Sequence, residues 1–158
     1  SLEMLSAALS SGESSRLYKE LVDKQQSAVN INSFVYDLED YGLFVVYGFC
    51  NVGIDAADLE RGLQIEIDKV KNDLITGEEF QKIHNIIENN FVNSNSTDLG
   101  IAGSLAGYYT FYKNTGLINN EIDKYMKTTR EDIKEVADKY LTKENRVVLY
   151  YLPKSEKK

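Results

Sequence analysis

The spacing of apolar residues changes several times along the chain, and each change marks an element. Leu2, Leu5 and Leu9 recur every three or four residues with no capping residue before them, so the chain opens within a helix and the domain is expected to begin further upstream. Ser10, Ser11 and Gly12 break that helix. Ser14 or Ser15 is placed to cap a second one through Lys24, with Leu17, Tyr18 and Leu21 on its inner face. The period then shortens. Residues 28–36 and 42–50 are rich in Val, Ile, Phe and Tyr around an Asp37–Gly42 turn, which predicts a β-hairpin. Leu43 to Tyr47 is apolar on both faces, as in a strand covered on both sides or lying in a domain interface.

Helical spacing returns after Asp55, a predicted N-cap, with Leu59, Leu63, Ile67, Val70 and Leu74. Thr76 to Glu79 has the form of a capping box and starts a helix with the stripe Phe80, Ile83, Ile87 and Phe91, broken near Asn89 to Ser96. Residues 97–114 predict a helix in which Gly100, Gly103 and Gly107 stand beside Tyr108, Tyr109, Phe111 and Tyr112. Each glycine weakens a helix by about 1 kcal/mol, so close backbone approach is the expected reason for them and core packing the expected role of the aromatics, with a ligand groove as the alternative. A short helix near 119–126 leads to Thr128 or Thr129, either able to cap a helix with the stripe Ile133, Val136, Ala137, Tyr140 and Leu141. Val147 to Leu152 predicts a last strand, closed by Pro153. Strands, then helices, then a strand make an α+β pattern rather than repeating βαβ units.

Size and charge narrow the possibilities. A chain of 158 residues suits one domain, here residues 1–153, with the lysine-rich 154–158 as a tail or linker. A formal charge of -7 argues against nucleic acid, whose phosphates need a basic face, and favours basic peptides if the surface steers anything. No apolar run reaches the roughly 18 residues of a membrane-spanning helix. Cys50, the one cysteine, cannot form an internal disulfide and is expected to pack as a small hydrophobe.

The residues permit little chemistry. A zinc peptidase helix carries two histidines and a glutamate, whereas this chain has one histidine, His84, with Glu88 one turn further on. Two ligands do not make a metal centre. Cys50 has no base near it in sequence, no GxSxG turn exposes a serine, and no GxGxxG or P-loop supports a nucleotide. The carboxylate pairs Glu78–Glu79 and Glu131–Asp132 stand at predicted helix N-termini, where they complement the dipole. Asn95-Ser96-Thr97 matches a glycosylation sequon too short to be specific.

Two segments go beyond general patterning. Leu9 to Leu21, LSSGESSRLYKEL, resembles the glycine-and-serine turn and SSRLxxEL segment of the non-catalytic, inactive C-terminal-type domain of the pitrilysin/insulinase family of zinc metallopeptidases, the processing-peptidase-like fold. Tyr41-Gly42-Leu43-Phe44 stands where that family has a turn followed by Gly-Leu-Phe. Thr129 to Leu141 is similar to its closing helix, before a strand ending in proline.

That resemblance implies an α+β domain, an antiparallel sheet with helices on one face and N-terminal strands ahead of the first helix. It implies a domain that binds no cofactor, its zinc being held by a separate HxxEH domain in the same chain or a partner subunit. The two together would enclose a chamber around a peptide substrate. Relatives that assist catalysis carry an arginine and a tyrosine in this domain, in a segment resembling R-E-K-x-G-x-A-Y. Alignment through Ser14 to Leu17 puts Val22 and Val29 at those positions, with Gln26 in place of the glycine. Neither valine donates a hydrogen bond, so no catalytic residue is expected here. The alternatives are a scaffolding member of the same fold that cuts nothing and a peptide-binding module. The resemblance leans toward the bacterial periplasm or cell envelope.

Overall fold

The structure, a computed structural model, describes residues 1–38 and 40–153. The expected tail at 154–158 and Glu39 of the hairpin turn lie outside the described residues.

The first helix, α1 (Leu2–Ser10), is the centre of the molecule. Its residues from Met4 to Leu9 are all buried, because it is apolar around most of its circumference and such a helix is stable only when covered on all sides. The hairpin covers one side, and helices α3 (Gly77–Ser94) and α6 (Arg130–Tyr140) cover the other. Serines fasten it to the sheet. Ser6 Oγ donates to the carbonyl of Ser33 at 2.9 Å, and the Ser33 amide donates to Ser10 Oγ at 2.8 Å, so the hydroxyls enter the interior with partners.

Strands β1 (Ala28–Asp37) and β2 (Gly42–Cys50) pair antiparallel from Asp37 opposite Gly42 to Ala28 opposite Cys50, with an irregularity between Ala28 and Asn30. Side chains alternate between faces. Ala28, Ile31 and Ser33 point inward and are buried, while Phe34, Tyr36, Leu43, Tyr47 and Phe49 remain exposed. Tyr47 meets Phe34 and Phe49 edge to face at 6.2 and 6.0 Å. The sheet is therefore covered on one side, and Leu43–Tyr47 is apolar on both faces without being buried on both. Cys50 is half-buried against the core, as expected of a small hydrophobe.

Helix α2 (Ala56–Asn72) starts at Asp55, whose carboxylate accepts from the Ala57 amide at 2.9 Å. It sends Leu59 and Val70 into the core. The boxes at Thr76 and Thr129 both close, each threonine bonding the third helical residue while Glu79 or Asp132 reaches back. Between α3 and α6 lie α4 (Asp98–Tyr112), a 3-10 turn and α5 (Glu121–Lys127).

Several expectations change. The segment from Tyr18 to Lys24 is wound as a π-helix, and neither Ser14 nor Ser15 supplies a side-chain cap. The polar stretch after Asn89 continues α3 to Ser94, since asparagines on an exposed face interrupt nothing. Helix α4 buries no residue, and Tyr109, Phe111 and Tyr112 are exposed rather than core. Periodicity cannot separate a face turned to the core from one turned away from it. Close approach explains only Gly100, where an added Cβ would collide with the Ser94 carbonyl oxygen; Gly103 and Gly107 face open space. Val147 to Leu152 contains no turn or bend but pairs with no strand among the described residues. Its apolar composition makes strand-like backbone, and a ladder also needs a neighbour.

Candidate functional site

The LSSGESSRL segment and the start of α3 meet in one charged cleft of about 700 Å3, lined by Ser14, Arg16, Lys19, Glu20, Lys82 and the first turn of α3, among others. Gly12 turns the chain after α1 with φ +78°, in the left-handed region that favours glycine, and the Ser15 amide closes the turn on its carbonyl at 3.0 Å. Arg16 is thereby aimed at α3. Its guanidinium donates from Nε and Nη2 to the two oxygens of Glu79 at 2.8 and 2.9 Å, a bidentate pair spanning 63 residues of sequence.

Glu79 serves two ends at once, since Oε2 also accepts from the Thr76 amide at 2.8 Å as part of the capping box. The Arg16 hydrogen bonds, helped by the Thr76 amide and opposed by burial, hold the Glu79 carboxyl down to about 2. A carboxylate so committed is a poor general base. Lys82 Nζ donates to Ser14 Oγ at 2.6 Å, a second tie between the same segments. In that contact the Ser14 hydroxyl oxygen is the acceptor, so the pair tethers the two segments. It is a clasp that fixes the SSRL segment on α3.

Val22 and Val29 sit on either side of the link from the π-helical turn to β1. Val22 packs half-buried against the core, whereas Val29 is 62% exposed at the strand irregularity. Gln26 between them has φ +52°, the left-handed conformation that a glycine takes without strain. Asn51 supports the bend by donating from Nδ2 to the Gln26 carbonyl at 3.1 Å. The two valines thus stand on the two arms of a bend centred on Gln26.

His84 and Glu88 do not make a metal centre. His84 Nδ1 lies 3.3 Å from Met126 Sδ, its ring meets Phe80 edge on at 4.3 Å, and Nε2 is buried without a hydrogen-bond partner. Among the described residues no three His, Cys, Asp or Glu side chains gather where they could hold a metal. Reading the sequence for chemistry passed over the Arg16–Glu79 pair, although both members stood in motifs noticed for other reasons.

Comparison with known proteins places this architecture. A family model described as the peptidase M16 inactive domain matches residues 1–87. The zinc protease PqqE of Helicobacter pylori is 26% identical over 152 residues, covering 96% of this chain and 34% of that protein. The chain thus spans about a third of that curated relative. The crystal structure of a protease from Helicobacter pylori superposes with a TM-score of 0.81 at 27% identity, over 89% of this chain and 34% of that one. The inactive peptidase domain of a candidate zinc protease from Bordetella parapertussis shares the fold at a TM-score of 0.88 and 19% identity, over 99% of this chain and 83% of that one.

Proposed function

Because the chain belongs to the peptidase M16 inactive domain family, we propose that it is the non-catalytic wall of a zinc metallopeptidase, packed against a separate HxxEH zinc-binding domain so that the two enclose a peptide. The observation that carries this reading is the unburied apolar surface of α4. The helix has Leu99 83% exposed, Tyr109 60% and Phe111 58%, and no buried residue, although its composition is that of a helix that is normally covered. A face of this kind is what an inter-domain contact buries.

In this reading the domain supplies shape and orientation. Val22 and Val29 offer only hydrocarbon where assisting relatives place an arginine and a tyrosine, so the scissile carbonyl receives no hydrogen bond from these two positions. A zinc held by the partner domain would supply the activation of the attacking water, and this domain would hold none of its ligands. The overall charge of -7 favours basic peptides in the enclosed space.

Reconstitution tests this. The HxxEH domain of the same protease, purified separately, is expected to cleave a basic peptide library only after addition of this chain. Paired Tyr109→Asp and Phe111→Asp changes are expected to abolish that gain while leaving the circular dichroism of the free chain unchanged. Zinc-dependent cleavage by this chain alone, or full activity of the other domain without it, would refute the proposal.

A further inference from the structure

The hairpin turns an aromatic face to solvent. Its register sets Phe34 opposite Val45, Tyr36 opposite Leu43, and Asn32 and Asn30 opposite Tyr47 and Phe49, and residues paired in this way share a face. Phe34, Tyr36, Leu43, Val45, Tyr47 and Phe49 therefore stand on the side of the sheet away from Ser33 and α1, and all but Val45 expose more than a third of their area. The edge-to-face contacts of Tyr47 with Phe34 and Phe49 hold three of these rings in a row. A ligand meets a surface that is already ordered, and so loses little side-chain entropy to it.

Charge is spread unevenly around this face. Residues 25–60 contain Asp37, Glu39, Asp40, Asp55, Asp58 and Glu60 but no lysine or arginine, so this stretch carries all but one of the seven net negative charges of the chain. Asp37 and Asp40 belong to the turn that closes the face beyond Tyr36 and Leu43, and neither forms a salt bridge with a described residue. Aromatic surface and acidic turn together select the occupant. Nucleic acid and anionic lipid are repelled. A second copy brings the same acidic turn and no cation on its own hairpin to answer it. An arginine-bearing apolar peptide answers both features, since a guanidinium pairs with carboxylates and stacks on aromatic rings.

We infer that the outer face of the hairpin binds an extended peptide segment, with a large apolar side chain on the Phe34–Tyr47–Phe49 row and an arginine at the acidic turn. Phe34 and Asp37 are three strand positions apart, about 10 Å, so the two peptide residues stand about three positions apart. This names the class of peptide for the enclosed space and so rests on the wall reading, but its test uses this chain alone and involves no cleavage.

The labelled peptide Phe-Leu-Ser-Arg-Arg is titrated with the chain at low salt and followed by fluorescence anisotropy. Replacing both arginines by glutamate, or Phe and Leu by serine, is expected to weaken binding at least about 10-fold. Tyr47→Thr with Phe49→Thr, which keeps strand propensity, is expected to weaken it about 10-fold as well. Asp37→Asn with Asp40→Asn leaves the rings in place and is expected to cost about threefold at low salt and nothing at about 1 M salt. Circular dichroism checks that each variant is folded. Absence of binding at about 1 mM chain, or equal binding of the glutamate peptide, would overturn the inference. So would affinity that neither variant changes, or a dimer of the free chain, seen by sedimentation, that Tyr47→Thr with Phe49→Thr abolishes. A chain that stimulates the HxxEH domain without binding the peptide refutes this site alone, and one that binds the peptide without stimulating refutes the wall reading alone.

Discussion

Replacing Glu79 by glutamine removes the charge from the Arg16 clasp while keeping an oxygen for the capping box. The carboxyl lies at about 2 in the fold against an ordinary value of 4.5, a difference that corresponds to a ceiling of ~3 kcal/mol. The Glu79 side chain is 32% exposed and Arg16 18%, so solvent screening reduces the contribution to ~1–2 kcal/mol. A carboxyl with a depressed folded pKa stabilises fully above 4.5 and loses that contribution as the pH falls toward about 2. Urea unfolding at about pH 6 and about pH 3 measures it, since more than half of the contribution is gone at the lower pH. The native chain is expected to lose roughly 1 kcal/mol more than Glu79→Gln between the two conditions. At about pH 6, adding Arg16→Met to Glu79→Gln is expected to cost less than Arg16→Met does in the native background. Equal pH dependence in both proteins would show that the clasp contributes no net charge interaction.

Substitutions at four further positions separate backbone from packing effects. Gly100→Ala is expected to destabilise by more than ~1 kcal/mol because its Cβ meets the Ser94 carbonyl, while Gly103→Ala, facing open space, is expected to stabilise by ~0.5–1 kcal/mol; thermal unfolding of the pair shows whether the signs differ. Gln26→Gly relieves a left-handed side-chain conformation at the cost of chain entropy, so stability is expected to change by less than ~1 kcal/mol, whereas Gln26→Val is expected to lose ~1–2 kcal/mol in the same denaturant titration. Ile133→Ala opens a cavity beside α1, and urea unfolding is expected to show a loss of ~2–5 kcal/mol in unfolding free energy.

How far the fold could be read from the sequence depended on the range of each signal. The hairpin is announced by its turn at 37–42 and the box at Thr76 by residues within a few positions of one another, and both formed as the sequence indicated, while of the two candidate caps Thr128 and Thr129 it is Thr129 that caps α6. The Arg16–Glu79 clasp spans 63 residues, and neither side chain announces its partner. What could have found it is the coincidence that one member opens a recognisable segment and the other closes a cap. Gln26 takes a left-handed φ, which a glutamine in a sequence does not signal.

The aromatic residues of α4 and the strand-like run at 147–152 failed for a common reason. Hydrophobic period reports that a face needs covering, and says nothing about which polypeptide covers it. Tyr109 and Phe111 at 60% and 58% exposure, and Leu149 at 86%, have core-like composition at surface positions. A self-sufficient domain with such a sequence would have folded these segments inward, as it did with α1, where the same apolar density is buried from Met4 to Leu9. The contrast within one chain separates segments completed by residues 1–153 from segments that ask for something else. It gives the proposed wall function its physical cause, because α4 would be covered by the catalytic domain.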